Sequence, residues 1–455
     1  MNVYLVLILL LQAATGIGVQ ASVRAELPRS MALPLSVLLG MFLHTLTLLL
    51  ANLVGVPINS ATVMASAAIP CIATHVRWRV VQDAYVALFA RPRWTLRMYD
   101  VVPLVVLLYL SFLVVWAGWY WPVTPFDAMA GIDLVARQTV EQGTINNRVF
   151  SDPSLAGQLS NQPFYAPFAM LMQTIYRCIG FEHGQLWVSI MSVAFGWFMW
   201  SALRTITHGF IANILFVLYV LTPEMFGYAY LLQTDYLNAA FVASGAILLW
   251  RATVTKGSGT AWLAAILFAG GCWSRTETIA LVVLGVAASM PLLAKSFSWK
   301  HAVRYAAVTS GIAVVVFALW HVVYFDVVLP VRPETSEQIS GFTMSGLTGV
   351  VERSFTSVIA DKELWAASYL VFLIVFVGSA LYKRSVAPLM ILAWIVVIHV
   401  GLWIVGATFS AAIVEQTFRR GIFKVIPLLF VYAAASPIVE TLSRRLLKWE
   451  AGENP

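Results

Sequence analysis

The chain has 455 residues, 60% hydrophobic and 11% charged, with a mean hydropathy of +0.83. That is too little polar material to cover a water-soluble globule of this size, so the bilayer is its main solvent. The net charge of +7 does not indicate nucleic acid, because the basic residues sit in short clusters between apolar stretches, where they orient a membrane protein.

Apolar stretches near the roughly 20 residues that span hydrocarbon recur from the start. Asn2 to Gly18 has the length of a signal peptide, yet no basic segment precedes it and more membrane helix follows, so it reads as an uncleaved span. Met31 to Val56 and Ser60 to His75 come next. Arg77, Arg79, Arg91, Arg93 and Arg97 follow as a basic anchor that places this side in the cytoplasm. Cys71 in this region, like Cys178 and Cys272 later, stands alone in or beside an apolar stretch, with no CxxC or Cys/His pairing to imply zinc or a disulfide. Val101 to Trp119 then crosses outward and ends in Trp116, Trp119, Tyr120 and Trp121, aromatic residues suited to the interface.

Further spans read at about 186–203, 208–223, 236–250, 260–274, 277–294, 304–329, 365–382, 386–407 and 421–440, bounded by charge, Pro or Gly. The expected fold is an all-α polytopic membrane protein of about thirteen transmembrane helices. With the N-terminus outside and 441–455 as a cytoplasmic tail, most of the 28 Lys and Arg fall inside. The acids gather outside although they hardly influence insertion, so function on the outer face is the reason expected for them.

The two longest external segments are about 121–185 and 330–364. In the first, Asp127 to Gln142 reads as an amphipathic interfacial helix after the fourth span. Met129, Ile132, Ala136 and Val140 share one stripe, and Asp133, Arg137 and Glu141 share another. Asp127 opens it, either as a helix cap or, being acidic and just beyond a span, as a general base for a surface acceptor. In Ser160 to Phe181, Pro163 and Pro167 flank Tyr165 and precede a short apolar run that either re-enters the membrane or closes on the bundle. Glu182 and His183 after it read as loop residues.

Tyr228 and Asp235 lie in FGYAYLLQTDYLNAA, an external turn in which Asp235 either caps the next helix or faces a substrate. Arg275 and Glu277 lie where two spans meet at the outer surface. Charge there is costly unless paired or used; an arginine suits a phosphate or diphosphate, and the glutamate would orient it. In EQTFRRGIFKVIP, Arg420 and Lys424 at i, i+4, with Arg419 beside them, break the positive-inside pattern. They either snorkel to lipid headgroups or neutralise a leaving phosphate.

Five short patterns follow one another over roughly 100–440: Phe126-Asp127-Ala128; Gln162-Pro163-Phe164-Tyr165-Ala166-Pro167; Asp235 opening a span; Ser274-Arg275-Thr276-Glu277; and Arg420 ahead of Pro427. In these the chain resembles the GT-C superfamily of polytopic glycosyltransferases, which includes protein O-mannosyltransferases and bacterial aminoarabinose and arabinofuranose transferases. The resemblance implies a GT-C-like catalytic domain at 101–440, with 1–100 as extra helices and a basic segment. It implies inverting transfer of a sugar from a polyprenyl-phosphate donor to a cell-surface glycan, lipid or protein, on the external face of a bacterial inner membrane.

On that resemblance Asp127 is the general base or acceptor-orienting carboxylate, and Arg275, Arg420 and Lys424 hold the donor phosphate. Asp133, Tyr165, Tyr228, Asp235, Glu277 and Arg419 line the cavity. Many relatives carry an Asp-Glu pair where this chain has Asp127-Ala128, so no cofactor is expected and a divalent metal is not indicated. With no large soluble C-terminal domain, the acceptor would be recognised in the membrane cavity and by external loops such as 330–364, with Arg332, Arg353 and Lys362. The competing readings are a transporter or flippase for lipid-linked saccharides, which would carry charge mid-bilayer, and an O-antigen-ligase-like enzyme that takes a diphosphate donor.

Overall fold

The computed structural model describes residues 3–89, 97–156, 159–160, 165–181, 184–328, 341–382, 385–386, 388–409 and 412–452, and helices make up most of them. The first are α1 (Val3–Ser22), α2 (Arg29–Leu53), α3 (Ser60–His75), α4 (Trp78–Phe89) and α5 (Met98–Tyr120). A π-helical turn (Ala128–Ile132) runs into α6 (Asp133–Gln142), followed by the single turns α7 (Arg148–Ser151) and α8 (Pro153–Ala156) and then α9 (Phe168–Cys178). The middle of the chain holds α10 (Leu186–Ile206), α11 (Gly209–Val220), α12 (Pro223–Tyr228), α13 (Thr234–Thr255), α14 (Ser258–Ser274), α15 (Thr278–Ser296) and α16 (Trp299–Ala318), which continues as a π-helix (Leu319–Val328). Last come α17 (Met344–Ser354), α18 (Lys362–Trp365), α19 (Ser368–Tyr382), α20 (Leu389–Thr408), a π-helical turn (Val414–Phe418), α21 (Arg419–Gly421), a 3-10 turn (Ile422–Lys424), α22 (Ile426–Ala435) and α23 (Pro437–Glu450).

Among the described residues eight helices are long and apolar enough to cross a membrane: α1, α2, α5, α10, α13, α15, α16 with part of its π-helical continuation, and α20. Counting α22 with α23, which are bent by 57° at their junction, gives nine. This is fewer than the thirteen expected. The difference lies in α3, α11, α14 and α19, whose 16, 12, 17 and 15 residues fall short of the roughly 20 that a crossing needs. Hydropathy runs on past such helix ends because the capping turns are themselves apolar. At 208–223, for example, α11 stops at Val220 and Pro223 starts a new helix.

Backbone and side-chain hydrogen bonds tie the helix ends into two polar layers. At one end Ser201 donates to the Ser30 carbonyl, Arg251 to Thr205, and the His208 amide to Ser443. At the other, the Gln185 amide donates to the Gly118 carbonyl at 2.9 Å, Tyr324 to Asn52 at 2.7 Å, and Ser60 to the Cys178 carbonyl at 2.6 Å. Helix α10, 21 residues long, runs from Gln185 at the second layer to Arg204 at the first, about 30 Å at 1.5 Å per residue.

Between the layers the helices pack through small residues. A Cβ on Gly16 of α1 would overlap the Ser36 backbone of α2, and one on Gly40 would overlap Gln12. Close helix approach of this kind is how packing holds in lipid, where burial against a neighbour gains little over burial against acyl chains. The same device recurs between α13 and α14, where Gly245 faces the Phe268 ring and Gly270 the Phe241 ring.

The amphipathic helix expected over Asp127 to Gln142 is present but turned. Its π turn, closed by the Asp133 amide on the Ala128 carbonyl, adds a residue to the helical register. Asp133 is thereby carried onto the packed face, 5% exposed, while Met129 is 44% exposed instead of lying in the apolar stripe.

Candidate functional site

The layer at the Gln185 end gathers charged residues from four separate stretches. Asp127 precedes the π turn with helical backbone angles, and its side chain makes no capping bond. Two bonds from Ser160 hold this turn: its hydroxyl donates to the Asp127 carbonyl at 3.0 Å and its amide to the Ala130 carbonyl at 3.1 Å. The Asp127 carboxylate accepts from Arg420 Nη2 at 2.9 Å instead of from its own helix.

Arg420 is shared. Its Nε donates to Asp235 at 2.9 Å, and its Nη2 also donates to Gln233. Asp235, in the first turn of α13 and fully buried, also accepts from Arg275. Arg275 Nε reaches Glu277 at 2.5 Å, and Glu277 lies 3.7 Å from the Lys424 ammonium. The result is a chain of alternating sign: Asp127, Arg420, Asp235, Arg275, Glu277, Lys424. Beside it Arg419 forms a two-pronged pair with Glu224 at 2.6 Å on each prong, the geometry that a planar guanidinium favours.

Exposure differs along the chain. The side chains of Asp127, Arg420 and Glu277 are 31%, 25% and 30% exposed, whereas those of Asp235 and Lys424 are wholly covered. Lys424 has no hydrogen-bond partner for its Nζ among the described residues. It closes the buried 3-10 turn Ile422–Lys424, just before α22. Arg420 and Lys424 therefore serve the same cluster from different depths.

Aromatic rings border the charges. Arg275 lies over the Tyr165 ring at 5.4 Å, a cation–π contact, and Tyr228 packs on Phe423 with ring centroids 4.7 Å apart. Burial first of all raises the Tyr228 phenol above its ordinary value, with Arg420 opposing, so the hydroxyl stays protonated near neutral pH. It is available as a donor.

Of the ten residues singled out from sequence, nine gather here: Asp127, Tyr165, Tyr228, Asp235, Arg275, Glu277, Arg419, Arg420 and Lys424. Asp133 does not. It accepts from Arg177 Nε and Nη2 at 2.8 Å each and from Gln173 at 2.9 Å, and Gln173 in turn holds the Trp187 indole at 2.8 Å. That is a closed packing knot between α6, α9 and α10. Glu224 and Gln233 were missed, although both lie in the same 223–236 turn as Tyr228 and Asp235.

Gln162, Pro163 and Phe164 of the proline-rich pattern, together with Glu182, His183 and Arg332, lie outside the described residues. Arg353 pairs with Glu415, and Lys362 opens α18. Among the described residues no group of three or more His, Cys, Asp and Glu side chains is arranged to hold a metal ion.

No family model, curated protein or solved structure matches the chain.

Proposed function

We propose that the protein is a multi-pass membrane glycosyltransferase of GT-C type, moving a sugar from a polyprenyl-phosphate donor to an acceptor at the membrane surface. The observation that carries this reading is the half-open cluster itself: a partly exposed carboxylate, Asp127, held by an arginine that shares a network with two further cations, Arg275 and Lys424, beside the Arg419–Glu224 pair. Such a site can serve both halves of a single displacement. The acceptor hydroxyl loses its proton to Asp127, its oxygen attacks the anomeric carbon, and the bond from that carbon to the phosphate oxygen breaks. The electron pair leaves with the polyprenyl phosphate, and Arg275, Arg420 and Lys424 neutralise the charge as it develops.

Arg420 couples the two halves. Its pairs with Asp127 and Asp235 use Nε and Nη2; we assign Nη1 to a phosphate oxygen. A phosphate drawing on Arg420 loosens its hold on Asp127, which frees that carboxylate for the acceptor only once the donor is in place. Tyr165 orients Arg275, and Tyr228 is a donor for a sugar hydroxyl.

The alternation of helix ends between the two polar layers supports thirteen passes in which α3, α11, α14 and α19 are short crossings. On this reading Lys and Arg concentrate at the Arg204 end, which is then cytoplasmic, and the candidate site faces the external side of a bacterial inner membrane. The same distribution weighs against a transporter. The described Asp, Glu, Lys and Arg of the eight long apolar helices sit within two turns of a helix end, as at Asp100, Arg204, Arg251, Lys295 and Arg304, and a transport path would need them near mid-bundle.

The test is genetic and chemical. Deleting the gene removes one sugar from a surface glycan, glycolipid or secreted protein, read by mass analysis. The wild-type chain restores it, and Asp127→Asn, present in the membrane at the wild-type level, lowers transfer by about 10²–10⁴-fold. Near-normal restoration by Asp127→Asn would sink the assignment.

A further inference from the structure

At the end of the bundle away from Asp127, a cavity of roughly 410 Å³ opens between the start of α5, the α10–α11 connection and α23. Its walls carry groups that attract an anion from three directions. Arg97 and Arg204 bring guanidinium charge, and Arg204 is fixed in place by Asp100 at 2.6 Å. The N-terminus of α11 enters the cavity through Thr207, His208 and Gly209; the His208 imidazole accepts from the Phe210 amide at 3.2 Å and the His208 amide donates to Ser443, so what the helix start offers an anion is its positive dipole. The third is Thr207. Its side chain lies in a residue only 7% exposed, and its hydroxyl has no hydrogen-bond partner among the described residues. A buried polar atom rarely goes unpaired.

One edge of this cavity is already taken by an internal anion. Glu450, the last residue of α23, lies 3.1 Å from His208 Nε2, accepts from the Tyr99 hydroxyl at 3.3 Å and pairs with Arg97. None of those bonds reaches Thr207 or Arg204. A tetrahedral oxyanion would, because its oxygens offer acceptors in several directions at once.

We propose that this crevice binds a phosphate group, either on a membrane phospholipid or as free phosphate, which takes the Thr207 hydroxyl, the α11 N-terminus and Arg204 while competing with Glu450 for Arg97. The site stands apart from the Asp127 cluster and does not depend on the glycosyltransferase reading.

The full-length protein is placed in phosphatidylcholine nanodiscs with or without phosphatidylglycerol, and separately in detergent with or without inorganic phosphate, and its unfolding midpoint is measured. A ligand that binds only the folded chain raises that midpoint. A rise with phosphatidylglycerol alone identifies a lipid headgroup, and a rise with inorganic phosphate identifies the free anion. Thr207→Val and Arg97→Gln abolish the rise, while Thr207→Ser retains it. Glu450→Gln reaches its half-maximal rise at a lower ligand concentration, because a competing carboxylate is gone. Each variant is compared with its own ligand-free midpoint, which separates loss of binding from loss of fold. No rise in either arm, a rise that Thr207→Val and Arg97→Gln leave intact, or weaker binding by Glu450→Gln overturns the proposal.

Discussion

Asp127 and Asp133 stand on one continuous helical run, yet their carboxylates live in opposite circumstances. Asp133 is closed: Arg177 spans both of its oxygens, Gln173 adds a further bond, and the Arg177 side chain is only 14% exposed. Asp127 is open: it has one arginine, which also serves Asp235 and Gln233, and it keeps 31% of its side chain exposed. The first arrangement answers a packing need, since it fastens α6 to α9 and, through Gln173 and Trp187, to α10. The second leaves a carboxylate and an arginine with bonding capacity to exchange. Saturation marks a structural ion pair and sharing marks a candidate site, although both are acids in the same loop.

The largest effect expected from this contrast is on stability. Asp133→Ala strands the buried Arg177 and costs about 3–5 kcal/mol, the usual penalty for breaking a buried pair, whereas Asp127→Ala costs under about 1 kcal/mol. Unfolding midpoints in detergent rank the two directly. If Asp127→Ala proves as damaging as Asp133→Ala, the division between closed and open pairs is wrong. A double variant, Asp133→Leu with Arg177→Met, recovers most of the loss, because a buried ion pair can be exchanged for apolar packing.

Lys424 should behave in the opposite sense. Its ammonium is fully covered, lies 3.7 Å from Glu277 and makes no hydrogen bond among the described residues, so its desolvation is poorly compensated. Lys424→Met therefore leaves the midpoint unchanged or raises it by about 1–2 kcal/mol in stability, while the sugar transfer proposed for the site falls. A clear loss of stability would show that Lys424 is a packing residue like Arg177 and would take it out of the phosphate-binding set.

Position beside an apolar span made most of the cluster legible in the sequence: costly charge at a helix end marked Arg275 and Glu277, an acid just beyond or opening a span marked Asp127 and Asp235, and a break in the positive-inside pattern marked Arg419, Arg420 and Lys424. This reading by position carried no knowledge of who meets whom. It failed for Asp133 because the π turn at Ala128–Ile132 shifts the helical register and leaves no mark in residue spacing. It missed Glu224 because an acid straight after Pro223 reads as ordinary helix-start chemistry, and its arginine lies far along the chain, at Arg419. The helix count fell short where apolar capping turns, as around Thr222 and Ser436, look like continuous hydrocarbon-spanning sequence.

The smallest effect belongs to Arg353 and Glu415, the most open pair near the site. Arg353 Nη2 donates to the two Glu415 oxygens at 2.8 and 2.6 Å, and the side chains are 54% and 41% exposed. Glu415 lies in the π turn Val414–Phe418, which ends where Arg419 and Arg420 begin, so the pair steadies the segment that delivers both arginines. Water screens such a contact, and Arg353→Ala should cost only about 0.2–1 kcal/mol, less in high salt. Hydrogen bonding from Arg353 holds the Glu415 carboxyl below its ordinary value. A group with a lowered folded pKa stabilises the fold fully above its unfolded value, near ~4.3 for Glu, and loses that contribution as pH falls through the folded value. The midpoints of wild type and Arg353→Ala should therefore differ slightly at neutral pH and converge in acid. A gap that persists in acid, or that rivals the Asp133→Ala loss, would mean that exposure does not sort these ion pairs and that openness is no guide to the site.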